Sequence, residues 1–480
     1  MRKIPPPPET RRSGGGRPDW GTMRADMQRG DGRTGGLGMG MVWWRGCGLA
    51  MLVLVAAAGA RAQEAPTAAP FAFSIGLPTT AQARLPLEEY QPADPALKVI
   101  LSPWSRNILK AIDTPLPLTR EALPPLLVVQ AGEYAEDIRL LAERRLLEPV
   151  AGVMAELGQQ PEDYSPALLA AFSNQGVLYA LPLHVTVPVI RYSRAAFAGA
   201  APPPPASWEE LLALGAPLVA GRGTPGPRRV LSIPMSAARF AALVAMACGE
   251  PPLDVANPVF LNSARFAAAL RWVRDGIAQG QIDRRQSSTP MTLATGAVFG
   301  VDHIESFHAD APFGMLAMPS RLHAQDTPPE RRYVPGRAEG VSVRSISPQH
   351  RTASIALLKW LFSPETAWRM FERTHARTPS DKWLLDNVHV PLRAQTLQTL
   401  DFEYAMKKFP ELELLRAQQS EATFAQIPAP LEDLVWERVE ATVDYLPVDA
   451  DLAAELQALF SDVQEIVRTT PVESVAYAGY

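Results

Sequence analysis

Apolar positions along the chain fall into two patterns: short unbroken runs, and stripes that repeat every three or four residues. Phe71 to Gly76, Leu97 to Leu101 and Leu126 to Gln130 belong to the first kind, the last two bounded by prolines. Their length and flanking breakers predict strands. Ala135 to Leu147 belongs to the second kind, with Ile138, Leu141, Leu146 and Leu147 at helical spacing. Val177 to Pro182 is an apolar run stopped by a proline, and Val185 to Tyr192 is rich in β-branched residues that suit a pleated, packed surface. Ser207-Trp208-Glu209-Glu210 carries a capping box, so a helix is predicted to start at Ser207 after the proline tract 202–205. Arg239 to Cys248 and Ala264 to Ile277 carry apolar stripes, Trp272 and Val273 falling on the second. Met291 to His303 reads as a helix end, a glycine turn and a buried strand, and Phe313 to Pro319 as a further strand. Residues 320–339, rich in Arg, Pro and Glu, predict a surface loop. Gly340 to Ile346 predicts a strand. Ser347-Pro348 and Ser363-Pro364 each place an N-cap before a proline at the first helical position. Glu432 to Tyr445 and Asp451 to Val467 are amphipathic helices. Strands alternating with helices predict an α/β fold with parallel sheet.

Composition changes this picture at the N-terminus. Residues 1–40 are Gly-, Arg- and Pro-rich without periodicity, and read either as a disordered leader or as a stretch upstream of a true start near Met39 or Met41. Gly46 to Ala60 is an apolar run behind Arg45 that ends in Ala60-Arg61-Ala62, a small-x-small pattern. This is the layout of a secretory signal peptide over residues 41–62, cleaved after Ala62. An uncleaved anchor is the alternative, but the run is shorter than the ~20 residues a spanning helix needs. Cys47 begins the apolar run instead of following it, unlike a lipoprotein acylation site.

Residues 1–62 hold 10 of the 46 basic and 4 of the 50 acidic groups, which leaves the remainder near −10. A chain that acidic, with no Lys/Arg run, is not expected to bind nucleic acid. Cys248 alone remains, so no intrachain disulfide can form; it lies in an Ala-rich stretch as a small buried hydrophobe.

Gly176, Tyr179, Ala180, Leu181, Pro182, Tyr192, Trp208, Glu210 and Leu211 occur in an order that resembles the extracellular solute-binding proteins of bacterial ABC importers, family 1, the maltose- and sugar-binding type. Ser193 stands where that family usually has Asn, and Ala206-Ser207 where it has x-Thr. The segments PALKVILSPW and LLVVQAGEYAEDIRLLAERRLLEPV, the helix through ALLKWLF, Ser363-Pro364-Glu365 and the turn Arg377 to Ser380 extend the resemblance unevenly over residues 71–470.

The resemblance implies an α/β, two-lobe periplasmic-binding-protein fold (type II). Each lobe would be a mixed, mostly parallel sheet flanked by helices, with hinge crossovers between the lobes. Lobe 1 would take residues 71–182 plus 341–390, and lobe 2 residues 183–340 plus 391–480. Crossings are expected near Leu181-Pro182-Leu183, shortly before Gly340 and near Val390. Ligand would sit in the cleft against loops at strand ends.

Within that frame Trp104 is placed to stack on a sugar ring or, alternatively, to fill the core. Tyr134, beside Glu133, follows a strand where the family places a ligand contact. His184 follows the crossing proline and either donates into the cleft or serves as a structural histidine. Asp302 and His303 stand where the family often has Gly-x-Trp, which shifts a stacking role to Phe307. Gly340 matches the first of a frequent glycine pair that lets backbone approach ligand, with Val341 replacing the second. Trp208 and Tyr192 are expected to pack in the core.

An enzyme would need a constellation. The sequence holds no G-x-S-x-G, G-x-x-x-x-G-K-[ST], H-E-x-x-H or C-x-x-C. His303, Glu305 and His308 are close, but a five-residue step splays two histidines apart on a helix. No metal or cofactor is expected. The reading is a monomeric periplasmic protein that captures a small polar solute, a saccharide or polyol, by closure of its two lobes and delivers it to ABC permease subunits in the inner membrane. A ligand sensor of the same fold and an exported enzyme with an unrecognised site are the alternatives.

Overall fold

The computed structural model describes residues 71–78, 87–93, 97–104, 124–132, 138–143, 145–219, 226–253, 258–284, 296–304, 313–344, 346–369, 396, 398–408, 410–424, 429–447 and 450–470. All lie within one compact unit, Pro70–Tyr480.

Strands β1 (Phe71–Pro78), β2 (Leu97–Trp104) and β3 (Leu126–Gly132) pair in parallel in the order β2-β1-β3. Short helices α1 (Ile138–Glu143), α2 (Ala151–Glu156) and α3 (Pro166–Ala171) follow. A small hairpin of β4 (Ser173–Asn174) and β5 (Val177–Leu178) then turns on Gln175 and Gly176, with φ of 51° and 77°. Two consecutive positive φ values are what a tight two-residue hairpin requires, and glycine adopts one without steric cost.

The 13-residue strand β6 (Leu181–Ser193) comes next. It passes through Pro182, so the proline does not stop the apolar run. It also passes through Pro188. A proline is tolerated in a strand at its start, or where its missing N–H has no ladder partner to serve.

Helix α4 (Trp208–Gly215) starts with the expected capping box: Ser207 Oγ accepts from the Glu210 amide at 3.1 Å, and the Glu210 carboxylate accepts from the Ser207 amide at 3.3 Å. Trp208 is fully buried between Phe240 and Trp272, at ring-centroid distances of 5.5 and 5.9 Å. Strand β7 (Arg229–Ile233), helices α5 (Ala237–Ala247) and α6 (Ala264–Ala278), and strands β8 (Ile282–Arg284), β9 (Ala297–Ile304) and β10 (Phe313–Leu316) continue the alternation.

The predicted loop 320–339 is partly sheet. Strand β11 (Val334–Pro335) has a fully buried Val334, and β12 (Arg337–Val343) begins three residues before Gly340. Charged composition suggested a loop, but Glu339 is buried within the sheet at 7% exposure. Helix α7 (Pro348–Leu361) is capped by Ser347, and residues 364–369 form another helical turn in which Ser363 Oγ accepts from the Thr366 amide. The C-terminal part is helical: α8 (Leu400–Lys408), α9 (Pro410–Ser420), the short strand β13 (Ala422–Thr423) paired with β11, α10 (Ala429–Tyr445) and α11 (Leu452–Thr469). The crossing expected near Val390 and the turn 377–380 lie outside the described residues.

Eight strands form one continuous path, β2-β1-β3-β12-β6-β9-β7-β8, and β10 joins the sheet off that path by pairing with β6. Pairing is parallel on both flanks and antiparallel around β12 and β6. Strand β6 divides its partners: Leu181 to Thr186 pair with β12, whereas Val187 to Tyr192 pair with β9.

Candidate functional site at the strand crossover

Strand directions follow from the pairings. Strand β12 runs antiparallel to both β3 and β6, so β6 runs with β3. Beyond Thr186 the strand continues into a second section, where β9 runs against it and β7 and β8 run with β9. The carboxyl ends of the parallel strands in the two sections therefore point toward each other. Gly132, the last residue of β3, is level with Arg337, which is level with Thr186. Ile304, the last residue of β9, is level with Val187. The two sections thus end against neighbouring residues of one strand. Ligands of open α/β sheets bind outside such carboxyl ends.

Three of the expected contacts, His184, Asp302 and His303, fall at this junction, and a fourth, Trp104, stands at a strand carboxyl end of its own section. Trp104 is the last residue of β2, level with Pro78 at the end of β1. His184 lies two residues before Thr186 and is buried, at 2% exposure. Asp302 and His303 stand opposite Val189 and Pro188, close to the end of β9. Tyr134 and Phe307 lie outside the described residues, as do Glu305 and His308.

Gly340 sits further back, opposite Val129 and Pro182. A β-carbon there would meet the Phe172 ring at 2.8 Å and Ala180 Cβ at 3.1 Å. The close approach this glycine permits is thus made by a core phenylalanine.

The sheet contributes polar residues that the sequence did not single out. Side chains two apart on a strand share a face. Gln130, Glu339 and His184 form one row across β3, β12 and β6, and Gly132, Arg337 and Thr186 form the next row outward. Gln130 Nε2 donates to the Glu339 carboxylate at 3.2 Å. Further back on the same face the rows turn apolar, Val128 with Val341 and Leu181, then Leu126 with Val343. Polarity is therefore concentrated where the sections meet. Two charged residues immediately before Gly340 were its only trace in the sequence.

Helix α9 packs along β6 at the same place. Gln419 Nε2 donates to the Val185 carbonyl at 3.0 Å, and Gln418 Nε2 to the Pro188 carbonyl at 2.8 Å. Both glutamines are buried. Among the described residues no group of three or more His, Cys, Asp or Glu side chains is placed to hold a metal ion.

Residues 121–389, more than half of the chain, match the family model for bacterial extracellular solute-binding proteins. The chain belongs to that family.

Solved structures agree on the architecture of this solute-binding protein. The sugar-binding protein MalE from Xanthomonas citri is 16% identical with a TM-score of 0.59, over 83% of this chain and 97% of its own. UgpB from Mycobacterium tuberculosis, solved in complex with glycerophosphocholine, is 16% identical with a TM-score of 0.59, over 84% and 99% of the two chains. Maltose-bound MalE3 from T. maritima is 14% identical with a TM-score of 0.59, over 82% and 99%. At these identities the likeness establishes the fold, the two-lobe periplasmic-binding-protein type with a mixed sheet flanked by helices. No match was found among curated protein sequences.

Proposed function

We propose that this solute-binding protein is the periplasmic component of an ABC importer, capturing a small polar solute, a carbohydrate or polyol, by closure of two lobes about β6. The observation that carries the proposal is the meeting of two sets of strand carboxyl ends at Thr186 and Val187. A bend between those residues would open and shut a gap lined by strand ends, the hinge absorbing the backbone change while each section stays rigid. Lobe 1 would comprise the section built on β1 to β3 and β12, and lobe 2 the section built on β7 to β10. Trp104, Tyr134, His184, Asp302, His303 and Phe307 are the proposed contacts, with Gln130 and Glu339 added by the sheet geometry and Gly340 shaping the wall behind them. MalE and maltose-bound MalE3 support a saccharide ligand, and UgpB, in complex with glycerophosphocholine, keeps other polar solutes in the screen.

In this reading the protein acts as a monomer, is exported by the peptide ending at Ala62, and hands its solute to permease subunits without breaking a bond. A thermal-shift screen of the mature chain against sugars, polyols and glycerophosphodiesters tests it. Ligand-dependent stabilisation with the ligand recovered intact is the expected result. Chemical conversion of a stabilising ligand would favour an enzyme, and a flat screen would remove the capture reading.

A further inference from the structure

Leu316, at the end of β10, stands opposite Ile190. Continued by two residues, that register would set Met318 opposite Pro188. Instead the side chain of Gln418 occupies the gap. Its Nε2 donates to the Pro188 carbonyl at 2.8 Å, and its Oε1 accepts from the Met318 amide at 3.3 Å. The carboxamide, which carries one acceptor and two donors, imitates the missing peptide group. Pro188 has no N–H, so an ordinary antiparallel pair could not exchange both bonds at this position.

The next residue, Gln419, reaches the Val185 carbonyl at 3.0 Å. Val185 belongs to the stretch paired with β12, and Pro188 to the stretch paired with β9. One helical turn therefore grips the shared strand on both sides of the point where it changes partners. The same segment is anchored at each end. Glu411 pairs with Arg194 at 3.1 Å beyond the far end of β6, and Arg332 pairs with Glu421. Past the helix, the Thr423 carbonyl accepts from the Gly336 amide at 2.7 Å, directly ahead of β12.

We propose that Gln418 and Gln419 are positioning residues for solute capture, clamping β6 across its bend point so that α9 sets the angle between the two sections. The inference rests on the closure reading above. Rotation between Thr186 and Val187 changes the distance between the Val185 and Pro188 carbonyls, and two adjacent side chains on one rigid helix resist that change. With the Gln419 bond gone, the Val185 side of the strand is released while Gln418 still holds the other.

The test uses the solute-free mature chain in a Cys248→Ser background, with spin labels at Ala155→Cys on α2 and Arg271→Cys on α6, both exposed. Pulsed electron resonance then reads the distance distribution between sections. Gln419→Met is expected to broaden the distribution and shift its mean, as is Gln418→Met. Gln419→Asn, one methylene shorter, retracts the donor while remaining polar, and gives the same readout should the Met variants fail to fold. A distribution unchanged from the parent in folded variants, even with a lower melting temperature, would reduce the glutamines to packing and overturn the proposal. Because no solute is present, failure of the clamp is distinct from failure of the capture reading, which the thermal-shift screen reports separately.

Discussion

The ring of Tyr192 fills the space in which a β-carbon on Gly314 would stand, the two residues being register partners on β6 and β10. A glycine is needed there because two backbones and an aromatic ring share one gap. Gly314→Ala is expected to cost about 3 kcal/mol by overpacking, read as a lower denaturation midpoint in urea. Pairing it with Tyr192→Ala should recover part of that loss, since the two sites are in contact. Additive losses would show that the ring moves aside freely.

Gly340 permits a direct choice between wall and contact. Gly340→Val would drive a side chain against Phe172 and Ala180, at 2.8 and 3.1 Å for the first added carbon alone. A stability loss of about 1–3 kcal/mol is expected. Gly340→Val combined with Phe172→Leu should recover much of it. Full wild-type stability in the single variant would overturn the packing role.

Ser207→Ala removes the oxygen that accepts from the Glu210 amide at 3.1 Å. A loss of about 1 kcal/mol in urea denaturation is expected, and Ser207→Thr should retain most of the stability.

Burial pushes the Cys248 thiol up to about 12 from its ordinary value of 9.0, helped by the nearby Asp326 and opposed by Arg265 and Arg332. At pH 8 the folded protein should hold about a thousandfold fewer thiolates than an ordinary cysteine. Iodoacetamide is therefore expected to label the denatured mature chain quickly and the native chain very slowly, as followed by intact mass. Equal rates would contradict that burial.

Asp444 titrates above the usual carboxylate range because burial disfavours its charge. The ion pair with Arg284 at 2.6 Å opposes that shift and the neighbouring Glu440 adds to it. The folded chain thus holds this proton more tightly than the unfolded chain, so acid favours folding through this group. Relative to Asp444→Asn, the wild type should lose stability as pH rises from 3.8 through the raised folded value. Urea titrations at a series of pH values give the difference, and a wild type that gains on the variant over that window would refute the assignment.

Local devices were legible in the sequence and partnerships were not. The Ser207 capping box and the Ser347-Pro348 and Ser363-Pro364 starts each depend on residues within one turn, and each folds as expected. Pro182 was misread because whether a proline ends a strand depends on which edge its absent N–H would face, and the neighbours on that edge are remote. Arg337 and Glu339 suggested solvent for a similar reason: their strand partners, Thr186 and His184, lie about 150 residues away in sequence. The family pattern led to His184, Asp302 and His303 beside the junction and to Trp104 at the carboxyl end of β2. It offered nothing for Gln418 and Gln419, whose acceptors on β6 lie 230 and 234 residues earlier.

Because β6 belongs to both sections, neither can be cut out and produced as an independent fragment. A polypeptide ending before Leu181 would lack β12 as well as β6, and would leave β3 with a bare row of amides and carbonyls along one side. One beginning at Leu181 would display such a row on β12 instead, along the side that β3 had covered. Such unpaired edges recruit strands from other molecules, so either truncation is headed for aggregation. Severing and re-fusing the chain is better attempted in exposed loops that leave this strand whole.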